Sequence, residues 1–234
     1  GTWVWIAESD DSCAPDLLER LLKMGSSSEL GLRYAQSRII DEAGVRKGSM
    51  LQYTASFTPN PFTKDLLVPG VLFIQRYLKV KNVVPNASAA IFHRDLLKDP
   101  GIWDGTQDMR MCGDWLFWIR LASRTRVGFV AEELNHFREH AAVSRSHLTL
   151  DRQRSRLWEE RTVRAELAFR KDVDQRNEEH AMYVRWSALF AVRSFFSNSF
   201  LRISLPGRSR FVPLLIGLVA RCKARFAGPP SAAR

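Results

Sequence analysis

The sequence predicts an α/β domain over residues 1–147, followed by a mainly α-helical and basic region over residues 148–234. Short aromatic and branched runs alternate with helix-patterned segments in the first part. Beyond residue 150 the pattern becomes helical throughout. The charge changes at the same place: residues 1–149 hold 18 Lys and Arg against 17 Asp and Glu, while residues 150–234 hold 17 against 8.

TWVWIA, near the start, suits a central strand. It runs into three carboxylates, Glu8, Asp10 and Asp11, in ESDD. Like charges so close repel, so they are either solvated turn residues or they face a cation. APDLLERLLKM follows with Pro15 at a helix start and leucines at 17, 18, 21 and 22 on one face, stopped by Gly25. LGLRYAQSRIIDEAG reads as a strand ending in a turn at 41–44. Strand, helix, strand in that order suits parallel pairing, with a ligand site at the strands' C-terminal ends.

Residues 49–85 carry Pro59, Pro61, Pro69 and Pro85 and read as a loop-rich insertion with one short helix near 71–79. AAIF is a small-residue strand. Asp114 opens a helix with Trp115, Trp118, Ile119 and Ala122 on one face, VGFVA is a strand, and Glu132 to His140 reads as a polar exit loop. LDRQRSRLWEERTVRAELAFRKDVDQRNEEH is one long, charged helical pattern. MYVRWSALFAVRSFFSNSFL is interrupted by Arg185 and Arg193, and FVPLLIGLVA has ten residues between basic flanks. A membrane span needs roughly 20 apolar residues, so these segments predict helices lying on an anionic membrane surface with their arginines facing lipid phosphates, or a helical appendage packed on the main domain.

The chain of 234 residues is 45% hydrophobic and 26% charged, which excludes wholesale disorder. Cys13, Cys112 and Cys222 are odd in number and scattered, which argues against a disulfide framework and for a reducing, cytoplasmic compartment. There is no CxxC pair, no basic n-region followed by an apolar stretch, no internal repeat and no Gly-rich phosphate loop. A nucleic-acid partner is not expected despite the net charge of +10, because the basic excess is arginine interleaved with acids along helices and matches no reading motif.

Four motifs share one order: ESDD after a strand, NASAAIF, CGDW opening a helix, and HFREH. Together WIAESDD, APDLLERLL, VVPNASAAIFHRDLL, CGDWLFWIRLA and FREH resemble the catalytic half of a family 2, GT-A type glycosyltransferase, over about residues 1–147. The resemblance implies a partial GT-A mixed sheet with helices, lacking an N-terminal nucleotide-binding half. It implies an inverting enzyme that moves a sugar from a nucleotide-sugar donor to a saccharide or lipid-linked acceptor, in surface polysaccharide synthesis. It further implies Mg2+ or Mn2+ on the donor diphosphate, with Asp10 as metal ligand and Asp11 as the alternative. Glu8, where the family has Asp, would face the ribose or the metal shell, and His140, oriented by Arg138, would be a further metal or diphosphate ligand. Asp114 would be the general base, in a position where an acid also commonly caps a helix. Trp115 is placed near the acceptor or, more simply, in the core. An inactive remnant or a sugar-binding module would carry the same motifs.

Overall fold

A computed structural model describes residues 1–25, 30–140 and 149–226. The chain divides into two compact units, Gly1–Ser146 and His147–Arg234; the boundary expected at 147/148 lies outside the described residues. The first unit is built on strands β1 (Trp3–Trp5), β2 (Ser12–Cys13), β3 (Leu32–Ile40), β4 (Arg46–Ser49), β5 (Leu66–Pro69), β6 (Ala90–His93) and β7 (Arg126–Arg138). Helix α1 (Leu17–Lys23) follows β2, α2 (Gly70–Phe73) follows β5 and runs into a π-helical turn at Ile74–Leu78, and α3 (Gly113–Ala122) precedes β7.

These strands form one mixed α/β sheet in the order β1-β6-β3-β7-β2, with β4 on β3 and β5 on β7. The expected parallel pairing is confined to β3 and β7; every other pair is antiparallel. β1 is not central but ends the sheet, pairing with β6 alone. β6 is antiparallel to both β1 and β3, so β1, β3 and β7 all run in one direction. The stretch Glu132–Arg138 is strand rather than exit loop, and the insertion at 49–85 contributes β5 to the sheet.

Alternation along β3 divides the core. Ala35 faces one side with Ile91, Val130, Leu134 and the α1 leucines Leu17 and Leu21. Leu18 and Leu22 stay exposed, so the helix face is narrower than its four leucines suggest. Tyr34 points to the other side, where Phe129, Phe62, Phe73 and Tyr77 stack edge to face. Arg33, buried on the α1 side, donates to the carbonyls of Leu21, Leu22 and Gly25 at 3.0, 2.7 and 3.3 Å, satisfying the C-terminal end of that helix. α3 is buried nearly all round, including Leu116, Phe117 and Leu121 as well as the expected face. Trp115 belongs to this core, 2% exposed with its indole N–H on the Leu78 carbonyl at 2.7 Å.

The second unit holds α4 (Leu150–Ala168), α5 (Arg176–Ala188), α6 (Asn198–Leu201) and α7 (Val212–Phe226). The long charged pattern is thus two helices, broken over 169–175, where the Gln175 amide donates to the Arg164 carbonyl at 2.7 Å. The core of this unit gathers Leu157, Met182, Tyr183, Trp186, Phe195, Phe200, Ile203, Leu205 and Leu214. Within it sits Glu160, 2% exposed, bonded to Arg164 and Arg185 at 3.0 and 2.8 Å. Arg185 therefore turns to a buried carboxylate rather than outward. Burial raises the Glu160 carboxyl, but Arg164, Arg185 and Arg156 outweigh it and hold the group below its ordinary value. No helix among the described residues is long and apolar enough to cross a membrane.

Two outcomes follow from this packing. A Cβ at Gly70 would overlap the carbonyl oxygens of Ala122 and Thr125, where the chain before β7 passes. Gly70→Ala should cost at least ~3 kcal/mol, read from the urea unfolding midpoint. Glu160→Ala strands the buried Arg164 and should cost ~3–5 kcal/mol. Because the folded carboxyl titrates below its unfolded value, its contribution is complete above pH 4.5 and is lost as pH falls further. The variant's stability should therefore decline less than the wild type's below that pH.

Candidate active site

The C-terminal ends of β1, β3 and β7 share one edge of the sheet, and the acidic residues gather there. β1 is followed by Glu8, Asp10 and Asp11, β3 by Asp41 and Glu42, and β7 ends at Arg138, two residues before His140. Open α/β sheets bind ligands outside the carboxyl ends of their strands.

Asp11 ties the three segments together. Its Oδ1 accepts from the Arg138 amide at 2.9 Å and its Oδ2 from the Asn86 side-chain amide. Asn86 in turn accepts from Asn135 Nδ2 at 3.0 Å, which also donates to Ser37 Oγ at 2.9 Å. Asn135 is fully buried, and its Oδ1 has no hydrogen-bond partner. The Arg138 guanidinium donates to the carbonyls of Asp10, Asp41 and Glu42 at 2.7, 2.7 and 3.0 Å, fixing the turn after β3 to the acidic loop. It does this instead of orienting His140.

Asp10 is left at the surface, its side chain 51% exposed. His140 Nε2 lies 3.1 Å from Asp10 Oδ2, and Glu42 sits 3.8 Å from the ring's other nitrogen. The imidazole is therefore positioned by two carboxylates. Asp10 and His140 offer one oxygen and one nitrogen donor side by side; Glu42 is on the far nitrogen and does not complete that set. Among the described residues, no three His, Cys, Asp or Glu side chains converge as a metal-binding group. Glu8 is exposed and is held through its backbone, its amide donating to Ser88 Oγ at 2.9 Å and its carbonyl accepting from the Asp11 amide at 3.3 Å. Nearby, His136 faces Ser12 Oγ at 3.3 Å, and burial, helped by Arg38 against Glu133, holds the imidazole below its ordinary value and hence neutral above pH 6.5.

Asp114 is the exposed acid of the otherwise buried α3. It does not cap the helix: Cys112 is the N-cap, and Asp114 lies inside the first turn, where a carboxylate suits the helix dipole. Its Oδ2 accepts from Asn82 Nδ2 at 2.9 Å. Asn82 lies only four residues before Asn86, the partner of Asp11, so one loop reaches both acids. An extended chain of that length spans at most about 14 Å. The same loop holds Glu8 through Ser88, and Trp5 Nε1 donates to the Ser88 carbonyl at 2.8 Å. Asn82, Asn86, Ser88, Asn135 and Glu42 had no assigned role in the sequence. Their signal there was a run of small polar residues, VVPNASAA, where a buried strand was about to begin.

No family model matches the chain, and a search of the curated proteins returned no match.

The two neighbouring acids should behave differently when truncated. Asp11→Ala removes charged acceptors from the Asn86 amide and the Arg138 N–H and should cost ~2–3 kcal/mol. Asp10→Ala, at an exposed carboxylate, should change stability by no more than ~0.5 kcal/mol. Chemical denaturation of the two variants beside the wild type checks this directly.

Proposed function

We propose that residues 1–147 are the catalytic half of a partial GT-A, family 2 glycosyltransferase. It would transfer a sugar, with inversion, from a nucleotide-sugar donor to a saccharide or lipid-linked acceptor in surface polysaccharide synthesis. The observation that carries this reading is the loop Asn82–Ser88, which contacts Glu8, Asp11 and Asp114 and so joins the acidic motif to the acid at the start of α3. Acids from distant parts of the sequence on one loop suit a donor diphosphate and an acceptor hydroxyl held side by side.

In this reading Asp114 takes the proton from the acceptor hydroxyl as that oxygen attacks the anomeric carbon opposite the leaving group. Asn82 holds the Asp114 carboxylate in place through Oδ2. Asp10 and His140 would hold Mg2+ or Mn2+, and Asp11 keeps the loop carrying Asp10 in register. Two protein donors fit such an ion, since Mg2+ is usually bound by one or two carboxylates with substrate phosphates and water completing the shell. When bound, the ion neutralises charge on the departing nucleoside diphosphate. Glu8 would face the ribose or the metal shell. A cavity of about 650 Å³ beside β4, lined among others by Ser49, Gln52, Phe57 and Asn60, offers amide and hydroxyl groups beside an aromatic ring. That chemistry suits a saccharide acceptor. The reading puts the enzyme in the cytoplasm at the inner face of a membrane, and its three unpaired cysteines support a reducing compartment.

The test uses a chain carrying the N-terminal nucleotide-binding half. Asp114→Asn should leave donor binding nearly intact and lower kcat by ~100-fold or more, because only proton removal is lost. Asp10→Asn should instead weaken Mn2+-dependent donor binding, an amide being a poorer ligand for a hard dication. Full turnover in Asp114→Asn overturns the base assignment, and donor binding without transfer in the wild type points to a sugar-binding module.

A further inference from the structure

α7 presents two opposite faces. Pro213, Leu214 and Gly217 are buried. Gly217 packs so closely that a Cβ there would stand 2.8 Å from the Phe195 ring and 2.9 Å from Ser187 Cβ, which brings α7 hard against α5. On the other side Phe211, Leu215, Val219 and Phe226 are 50, 62, 53 and 90% exposed. Phe211 joins the helix through the Leu215 amide bond to its carbonyl at 3.1 Å. With exposed Cys222 these residues form a single stripe at spacings of four, four, three and four. Core packing has already used the opposite face of this helix, so the stripe has no role within the unit.

Charge identifies what fits it. From residue 180 to the C-terminus the sequence has nine Lys and Arg and no Asp or Glu. At 3.6 residues per turn, Lys223 and Arg225 lie about 80° to either side of the stripe's midline. Neither has a carboxylate partner among the described residues, and both are exposed, as is Arg193. A shallow groove of about 530 Å³ runs along the stripe between Leu218, Val219, Cys222, Lys223 and Phe226. Exposed aromatic and aliphatic side chains flanked only by cations match the headgroup–acyl boundary of an anionic bilayer: the apolar row enters the acyl region and the cations meet phosphate.

We propose that the second unit docks on an anionic lipid surface through this face of α7. Phe211, Leu215, Val219 and Phe226 insert, and Lys223 and Arg225 contact lipid phosphates. This rests on the second unit alone and stands or falls independently of the glycosyltransferase reading. It also differs from the sequence expectation, which gave the contact to arginines such as Arg185, now seen bonded to Glu160.

The test is co-sedimentation of the full chain with phosphatidylcholine vesicles, with and without about 30% phosphatidylglycerol. The wild type should bind the anionic vesicles, not the neutral ones, and should release as salt rises from about 0.1 M to about 1 M. Leu215→Ser/Val219→Ser and Lys223→Gln/Arg225→Gln alter exposed positions only, so both should keep the wild-type circular dichroism. Each pair should lower partitioning roughly 10-fold or more. Equal binding to neutral vesicles, no binding to either, or undiminished binding by the Ser pair overturns the proposal. A concentration-dependent dimer that the Ser pair dissolves also overturns it, making the stripe a contact between two copies of the chain.

Discussion

Both oxygens of the Asp11 carboxylate are engaged, one by the backbone of β7 and one by the side chain of Asn86. Around this one group three segments of distant sequence become neighbours: the acidic loop after β1, the end of β7 and the loop before β6. A charged acceptor is worth more than a neutral one in such a position. Asn86 extends the chain of bonds to Asn135 and thence to Ser37 in the central strand. Arg138 then adds the turn after β3. The arrangement of every other acid at this edge of the sheet depends on that junction.

Most of the elements were legible because their apolar spacing is local. α1, α3, β3 and β6 each announce themselves through a period of 3.6 or 2, and the two-part division follows from charge and pattern. What was missed is what periodicity cannot register. β7 continues through Glu132, Glu133 and Asn135 because these polar residues find partners far away in sequence: Glu133 meets Arg38 and Arg46, and Asn135 is buried against Ser37 and Asn86. A buried Asn in a strand looks like loop until its partners are known. β5 was hidden by Pro69, which is tolerated because β5 pairs on one side only, with β7. At the site, the acids stood out as charges; the asparagines and Ser88 that hold them did not, since small polar residues are common in any turn.

The second unit uses charge differently. Its buried carboxylate, Glu160, is neutralised by arginines from its own helix and from α5, so the basic excess of this region is partly consumed inside the core. Arg208 is likewise taken by Glu179 at 3.1 Å, and Arg221 by the carbonyls that end α5. Counting cations along the sequence therefore overstates the charge offered to a partner. The cations that remain outward at the end of α7 are few, but they flank the apolar stripe, and that local geometry carries more information than the net charge of +10.

The same reasoning separates the acids in the first unit. Three carboxylates crowded after β1 would repel one another if all faced one point in water. The fold resolves this by giving each a different task. Asp11 spends its acceptor capacity on the backbone of β7 and on Asn86, and Glu8 is anchored through its main chain to Ser88. Asp10 is held through its carbonyl by Arg138, which leaves its carboxylate at the surface beside His140. A ligand arriving at this edge thus meets one carboxylate and one imidazole already positioned, with Asp114 on the far end of the loop that braces them. Because bracing and ligand contact fall on separate residues, substitutions at Asp11 and at Asp10 report on different properties of the protein, and a loss of binding at Asp10 without a loss of stability is a signature that a purely structural acid cluster would not produce.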